Sequence, residues 1–178
     1  MARPIAPLRA EFALFEPVQM RWADTDIYGH MNNAVHYTLF DTAVQTFLVR
    51  EGLLDLGQSE SIFLVVATAC DYFDEITFGD DLQAGLRITH LGNSSIRYRI
   101  GLFRNADASA AACGQFTHVN VARKDRRPMP ITASARGAFE KLMVGQGGID
   151  DRLRPEKAKA ACNSDCKRPK AFLECGLG

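Results

Sequence analysis

The sequence predicts an α+β fold in which one apolar helix packs against a single antiparallel sheet. The first observation is a helical period in residues 35–48, between segments that alternate as strands do. The second is that short turns join the later strands, which is typical of antiparallel neighbours. A helix on one face of such a sheet defines the α+β class.

The composition indicates a soluble globular domain. At 178 residues, the chain suits one domain, or one domain with a tail. The 21 basic and 21 acidic residues balance, which argues against a general nucleic-acid surface. No apolar run approaches the roughly 20 residues that span a membrane. The N-terminus has no long apolar core and carries Glu11, so we expect no secretory signal and a cytoplasmic location.

The first two elements are a strand and the central helix. Alternation in EPVQMRWA predicts a strand over residues 16–23. A broad helical stripe follows, made of Val35, Leu39, Phe40, Ala43, Val44, Phe47 and Leu48. Gly52 marks the end of this helix. The helix is nearly as apolar as a core element, so we expect other structure to wrap around it.

Four more strands follow the helix. They are predicted in SIFLVVATACDYF, LQAGLRITHL, IRYRIGLF and AACGQFTHVNVAR, with turn signals such as FGDDL and GNSS between them. The first is long, apolar and β-branched, which predicts a largely buried strand. The third places apolar residues on one face and Arg97, Arg99 and Phe103 on the other.

The C-terminal part divides into a short helix and a tail. ITASARGAFEKLM predicts a helix capped by Thr132 or Ser134. Gly145–Gly148 reads as a linker, so we predict a domain over residues 1–144 and a weakly ordered tail over 145–178. The tail carries three cysteines without a nearby histidine, which is too few ligands for a typical zinc site. We therefore expect no metal.

Residues 22–37, WADTDIYGHMNNAVHY, crowd polar groups at the start of the central helix. Each has an ordinary local explanation: a turn-capping Asp26, a Gly29 with positive φ, a loop donor in His30, N-caps at Asn32 or Asn33, and a packing role for His36. Together they describe a carboxylate beside a helix N-terminus, where free amides and the helix dipole favour negative charge.

Such an arrangement suits acyl chemistry at a thioester. The helix N-terminus polarises the carbonyl and stabilises the oxyanion that develops on it. The aspartate either attacks the carbonyl carbon or deprotonates a water molecule. This chemistry requires no metal.

The stretch DTDIYGHMNNAVHYTLFDTA resembles the signature of the hotdog-fold acyl-CoA thioesterases, the group of 4-hydroxybenzoyl-CoA thioesterase. The likeness continues in CDYFDEITFGDDL, RITHLGNSSIRYRIGLF and FTHVNVARKDRRPMPI, and it covers about residues 15–143. It implies a hotdog fold, in which a five-stranded antiparallel sheet wraps around a central helix. It also implies that two subunits pair into one continuous sheet with active sites at their interface.

The resemblance also implies roles for individual residues. Asp26 matches the catalytic carboxylate, Gly29 and His30 match its loop, and Asn33 falls near the helix start that binds the thioester carbonyl. Asp41 matches an acidic position on the helix that orients rather than reacts. Coenzyme A binding is implied at the GNSS turn, Asn93, Ser94 and Ser95, with basic groups such as Arg127 of KDRRP for its phosphates.

We therefore expect a thioesterase for a small aromatic or a short or medium acyl-CoA. Coenzyme A is part of the substrate, so no cofactor is expected, and the assembly is a homodimer or a dimer of dimers without nucleic-acid or membrane partners. One alternative is a hotdog protein that binds acyl-CoA or acyl carrier protein without hydrolysis. Others are a dehydratase-like member, whose motif is not evident here, and an interaction protein on the same fold.

Overall fold

The protein, as a computed structural model, is described for residues 4–54 and 59–143. The elements are β1 (Leu14–Val18), α1 (Asn33–Arg50), β2 (Ser61–Tyr72), β3 (Leu82–Leu91), β4 (Ser95–Arg104), β5 (Ala112–Ala122) and α2 (Ala133–Glu140). Short 3-10 turns lie at Arg9–Glu11 and Trp22–Asp24. The predicted boundary at residue 144 and the tail beyond it lie outside the described residues.

The five strands form one antiparallel sheet in the order β1-β3-β4-β5-β2. The chain leaves β1 at one edge, forms α1 across a face of the sheet and returns as β2 at the opposite edge. Helix α1 packs against β1, β3 and β5, and α2 packs against β3. The predicted α+β class and the prediction of five strands are confirmed.

Helix α1 buries the predicted stripe and exposes its opposite face. Its buried residues are His36, Leu39, Phe40, Ala43, Val44, Phe47 and Leu48. Thr42 and Thr46 lie on the exposed face and donate their hydroxyls to main-chain carbonyls one turn earlier, at 2.7 and 2.8 Å. The sheet covers the apolar stripe of the helix, as expected, and the face with the two threonines remains exposed in the single chain. Gly52 ends the helix region with φ of +67°, as predicted.

The first strand lies earlier than its alternation predicts. β1 ends at Val18, and the chain then forms the Trp22–Asp24 turn. The Asp24 carboxylate accepts a hydrogen bond from the backbone N–H of Arg21 at 2.8 Å, which stabilises this turn against extended structure. Trp22 is consequently 74% exposed rather than part of the buried face.

The outer face of the sheet carries a second small core. Phe103 was predicted on the same face as the arginines, and it is buried there under Phe12 and Phe15, with ring centroids at 5.4 and 5.6 Å. Gly85 and Gly101 lie opposite each other beneath these rings, where a Cβ would approach ring atoms to 3.0 Å or less. The two glycines therefore make room for the aromatic cluster.

Strand β2 is an open edge, which contradicts its predicted burial. It pairs with β5 on one side, and no strand among the described residues pairs with its other side. Leu64, Val65 and Val66 are 37%, 43% and 59% exposed in the single chain. The apolar composition predicted a buried strand, but the strand that has this composition is uncovered in the single chain.

Among the described helices, none is long and apolar enough to cross a membrane.

Close contact between α1 and β5 depends on Gly114. A Cβ at this position would lie 2.6 Å from Cε2 of Phe40, which is completely buried. We expect Gly114→Ala to lower the free energy of unfolding by about 1–3 kcal/mol, because the core has no space for the methyl group. Urea denaturation measures the change.

Gly137→Ala is the matched control. Gly137 lies within α2, and a Cβ there meets nothing within 4 Å. The same methyl group should stabilise the protein by up to about 1 kcal/mol, because alanine favours helix more than glycine does. Equal losses in the two variants would show that the contact with Phe40 is not the cause.

Candidate active site

The loop that joins the Trp22–Asp24 turn to α1 is closed at its base. The N–H of Asn32 donates to the carbonyl of Asp24 at 2.9 Å, and Thr25 and Met31 form a β-bridge just inside. The N–H of Asp26 donates to the carbonyl of His30 at 2.8 Å. These bonds hold residues 25–31 as a compact loop against the start of the helix.

Asp26 organises the tip of this loop. Its Oδ1 accepts hydrogen bonds from the N–H groups of Tyr28 at 2.8 Å and His30 at 3.2 Å. Gly29 has φ of +86°, a conformation that favours glycine. Within the described part of the chain, Oδ2 of Asp26 has no hydrogen-bond partner. Turn capping therefore explains one oxygen of this half-buried carboxylate and leaves the other available.

The N-terminus of α1 offers one free amide beside Asp26. The side chain of Asn32 accepts the N–H of Ala34 at 3.0 Å, and its carbonyl accepts the N–H of Val35 at 2.9 Å. Asn32 is therefore the N-cap, one of the two candidates from the sequence. The N–H of Asn33 finds no acceptor in residues 4–54 or 59–143, and the helix dipole makes this position favourable for an anion.

Asp24 stabilises the turn that precedes the Asp26 loop. Its carboxylate is buried and receives the Arg21 guanidinium, with Nη2 of Arg21 2.6 Å from Oδ1. The hydrogen bonds from the Arg21 side chain and backbone lower the pKa of Asp24 below its ordinary value. Both oxygens of Asp24 are thus engaged, which distinguishes it from Asp26 two residues later.

A second loop, residues 73–81, packs beside the Asp26 loop. The N–H of Met31 donates to the carbonyl of Ile76 at 2.7 Å, and Nε2 of His30 lies 3.1 Å from Oε2 of Glu75. Glu75 was not singled out from the sequence, because it is one of five acidic residues in DYFDEITFGDD and has no distinguishing spacing. The structure makes it the partner of His30.

The four residues predicted to bind coenzyme A lie together at another place. The carbonyl of Asn93 accepts the N–H of Ile131 at 2.8 Å, and the carbonyl of Ser94 accepts the N–H of Asn120 at 2.7 Å. These bonds join the β3–β4 turn to β5 and to the segment that follows the basic loop, which we define as residues 123–128. Arg127 is exposed on that loop.

The two predicted groups lie at opposite ends of the sheet. The turn of residues 92–95 starts β4, whereas the Asp26 loop packs beyond the far end of β2, at Ile76. Ten residues of β4 span about 30 Å at 3.3 Å per residue. The structure therefore brings Asp26, Gly29, His30 and Asn33 together, and it separates them from Asn93, Ser94, Ser95 and Arg127 within one chain.

Val65 and Thr68 of β2 lie opposite the buried His118 and Phe116 of β5, yet both are exposed, so the free edge of the sheet has an open trough beside α1. We define it as the strip between α1 and the inner face of β2. The ring of His36 contacts Tyr72 edge-on with centroids 4.9 Å apart, and burial lowers the pKa of His36. His36 is thus a packing residue, which is the local explanation that the sequence analysis gave for it. Further along, Thr68 is exposed and Asp41 is half-buried.

Two fully buried polar side chains, Tyr98 and His118, were not identified from the sequence as candidates. The alternation in FTHVNV places His118 on the same face as Phe116, which is a signal of a polar group in the core.

In residues 4–54 and 59–143, no three His, Cys, Asp or Glu side chains are grouped suitably for a metal.

Comparison with known proteins gives a consistent result. Residues 20–139 match the model of the thioesterase-like superfamily. The crystal structure of the PA5185 protein from Pseudomonas aeruginosa is 44% identical, covers 78% of this chain and 97% of its own, and superposes with a TM-score of 0.76. A Thermus thermophilus thioesterase complexed with coenzyme A and Zn is 30% identical over 74% of this chain and 95% of its own, with a TM-score of 0.62.

A more distant structure has the same fold. Slr0204 from Synechocystis, a 1,4-dihydroxy-2-naphthoyl-CoA thioesterase, is 22% identical, covers 72% of this chain and 96% of its own, and has a TM-score of 0.65. The hotdog fold that the sequence motif implied is confirmed by these structures and by the family match.

The cap at Asn32 is expected to stabilise the helix that carries the free amide. Asn32→Ala removes the acceptor of the Ala34 N–H, so the free energy of unfolding should fall by about 1 kcal/mol. Asn32→Asp, which keeps the acceptor oxygen, should restore most of this loss. Chemical denaturation of the three proteins measures it, and equal stability of wild type and Asn32→Ala would contradict the capping role.

Proposed function

The chain belongs to the thioesterase-like superfamily, and we propose that it hydrolyses acyl-CoA thioesters at Asp26. The observation that carries the proposal is the pairing of a free carboxylate oxygen with a free amide. Oδ2 of Asp26 and the N–H of Asn33 have no hydrogen-bond partner among the described residues, whereas Oδ1 of Asp26 and the N–H groups of Ala34 and Val35 are engaged. A carboxylate and an oxyanion donor are the two components that thioester hydrolysis requires.

In the proposed reaction, the N–H of Asn33 donates to the thioester carbonyl oxygen and stabilises the negative charge that develops there. If Asp26 is the nucleophile, its oxygen forms a bond to the carbonyl carbon and the C–S bond breaks, releasing the coenzyme A thiolate. Water then hydrolyses the resulting anhydride. If Asp26 is the base, it takes a proton from water, and the hydroxide attacks the same carbon.

The binding of coenzyme A points to a second subunit. A pantetheine arm held by the basic loop does not extend about 30 Å to Asp26 of the same chain. The matching Thermus thermophilus thioesterase is complexed with coenzyme A, which supports this class of substrate. We therefore infer that phosphate-binding and reacting groups come from different chains.

The free edge of β2 supplies the interface. β1, the other edge, has five residues and contains Pro17. Because proline lacks a backbone N–H, this edge has fewer groups that can pair with another strand. β2 has twelve residues and exposed apolar side chains, which is the type of edge that pairs with another strand. A two-fold axis at β2 makes its own copy the partner and closes the interface.

Antiparallel pairing of two β2 strands brings the two half-sites together. In such a pair, the Ser61 end of one strand lies beside the Tyr72 end of the other. The basic loop follows the residue that pairs with Ser61, and the Asp26 loop lies beyond Tyr72. The basic loop of one subunit therefore faces Asp26 of its partner. This dimer, alone or paired again into a tetramer, holds two composite sites.

The acyl group remains a small aromatic or a short or medium chain in this proposal. The trough beside α1 leads away from Asn33 and is open enough for such groups, since Thr68 and Val65 are exposed on its floor. The cytoplasmic location that the sequence predicts stays a prediction.

Replacement of Asp26 is the direct test. Asp26→Asn should lower kcat for acyl-CoA hydrolysis by about 10²-fold or more, because the reacting carboxylate is lost while the turn acceptor remains. A thiol-release assay with a panel of acyl-CoA esters measures the rate. Asp24→Asn, whose carboxylate serves Arg21, should have a milder effect. Wild-type turnover by Asp26→Asn would remove Asp26 from the mechanism.

Mixed dimers test the composite site. Asp26→Asn and Arg127→Glu should each be impaired as homodimers, the second chiefly in KM for the coenzyme A ester. Co-refolding equal amounts should restore about a quarter of wild-type activity, since half of the dimers are mixed and each has one intact site. Mixing each variant with itself is the control. Activity no greater than the sum of the two homodimers would place both groups in one chain.

A further inference from the structure

A side-chain contact between Glu75 and His30 joins the loop of residues 73–81 to the Asp26 loop. Oε2 of Glu75 lies 3.1 Å from Nε2 of His30. Beside this contact, the N–H of Met31 donates to the carbonyl of Ile76 at 2.7 Å. The backbone bond holds the two loops together, whereas the side-chain contact fixes the ring of His30.

His30 is bonded twice to Asp26 through its backbone. Its carbonyl accepts the N–H of Asp26 at 2.8 Å, and its own N–H donates to Oδ1 of Asp26 at 3.2 Å. A displacement of His30 therefore moves both the backbone and the carboxylate of Asp26. Because Glu75 holds the His30 ring, it restrains the residue on which the direction of the free oxygen, Oδ2 of Asp26, depends.

Glu75 is itself held by the sheet. Arg104, the last residue of β4, donates to the carbonyl of Glu75 and to the carboxylate of Asp74. The N–H of Glu75 donates to Oδ1 of Asp74 at 2.8 Å. Both backbone polar groups of Glu75 are thus engaged, and among the described residues His30 is the partner of its carboxylate. Glu75 therefore transmits the position of the sheet to His30.

The pair does little for the stability of the fold. The side chains of His30 and Glu75 are 37% and 67% exposed. Exposed ion pairs add little to stability, because water screens the charges and two side chains lose freedom. Replacement of Glu75 should therefore leave the protein folded, so that a loss of activity reports on the position of Asp26.

We propose that Glu75 is a positioning residue: its carboxylate holds the ring of His30, and the His30 backbone in turn orients the reacting carboxylate of Asp26. The inference rests on the proposed function, since it assigns Glu75 a part in the reaction of Asp26. A small misplacement of a reacting group slows the chemical step strongly. Because the proposed coenzyme A contacts lie on the basic loop, kcat should change while KM does not.

Kinetics of Glu75 variants test this role. Glu75→Ala should lower kcat for acyl-CoA hydrolysis about ten-fold and leave KM within about two-fold, because the restraint on His30 is lost. Glu75→Gln, whose amide oxygen still accepts a hydrogen bond from His30, should restore most of kcat. Glu75→Ala combined with His30→Ala should be no slower than His30→Ala alone, since both changes break one contact.

Asp81→Ala is the matched control. Asp81 is exposed in the same loop, and its carboxylate has no partner in residues 4–54 or 59–143. The variant removes the same charge as Glu75→Ala without touching His30, so kcat should equal that of the wild type. Equal losses of kcat in the two variants would overturn the proposal, because charge alone would explain them. A lower melting temperature of Glu75→Ala at unchanged kcat would also overturn it.

Amide hydrogen exchange tests the restraint without turnover. In Glu75→Ala, the N–H groups of Asp26 and His30 should exchange about ten-fold faster than in the wild type, and in Asp81→Ala they should not. Unchanged exchange of both groups in Glu75→Ala overturns the proposal. If the wild type hydrolyses no acyl-CoA ester while exchange changes as expected, the proposed reaction is refuted and the restraint by Glu75 is supported.

Discussion

The contact between α1 and the sheet decides where every group of the candidate site lies. Phe40 enters the space left by Gly114, so the helix approaches β5 to a distance that no side chain at 114 would permit. At the same time, the hydrogen bond from Asn32 to Asp24 ties the first turn of α1 to the end of the preceding segment. With both points held, the Asn33 amide and the Asp26 carboxylate have no freedom to separate.

The second constraint is the uncovered edge of β2. Its twelve residues expose apolar side chains in the single chain, and backbone groups on that side lack partners among the described strands. A strand of this kind is unfavourable in water unless something pairs with it. The same edge separates the Asp26 loop from the basic loop by the length of the sheet. In the proposed dimer, one pairing event satisfies the exposed strand and completes the proposed coenzyme A site.

The interior contains polar groups that reduce its stability. Most of the core is aliphatic or aromatic, yet Tyr98 and His118 introduce unbonded polar groups into it. Elsewhere, buried polar side chains have clear partners: Glu16 pairs with Arg50 at 2.5 Å, and Asp24 pairs with Arg21. Each unbonded polar group in the core lowers the stability of the fold by roughly 1–3 kcal/mol.

The sequence by itself predicted most of the elements and led to the proposal for the chemistry of the Asp26 loop. Periodicity located α1, the strands after it and the alternating face of β4. In an element that is buried on one side, apolar residues recur at the period of that element, and the sequence shows this directly. It misplaced β1, since the bonds between Arg21 and Asp24 favour a turn over the alternation. The local motif was sufficient to propose Asp26, Gly29, His30 and Asn33, because the hydrogen bonds that organise the Asp26 loop join residues only a few positions apart.

Only the tertiary structure decided which strand is exposed, which face is covered and which groups meet. β2 has the composition of a buried strand, and its place at the edge follows from the order of the sheet rather than from its residues. The same order sets Arg127 far from Asp26 and brings Glu75 to His30. It also buries Tyr98 beside His118 without a partner. Such contacts join residues distant in the chain, and no short-range pattern encodes a distance in space.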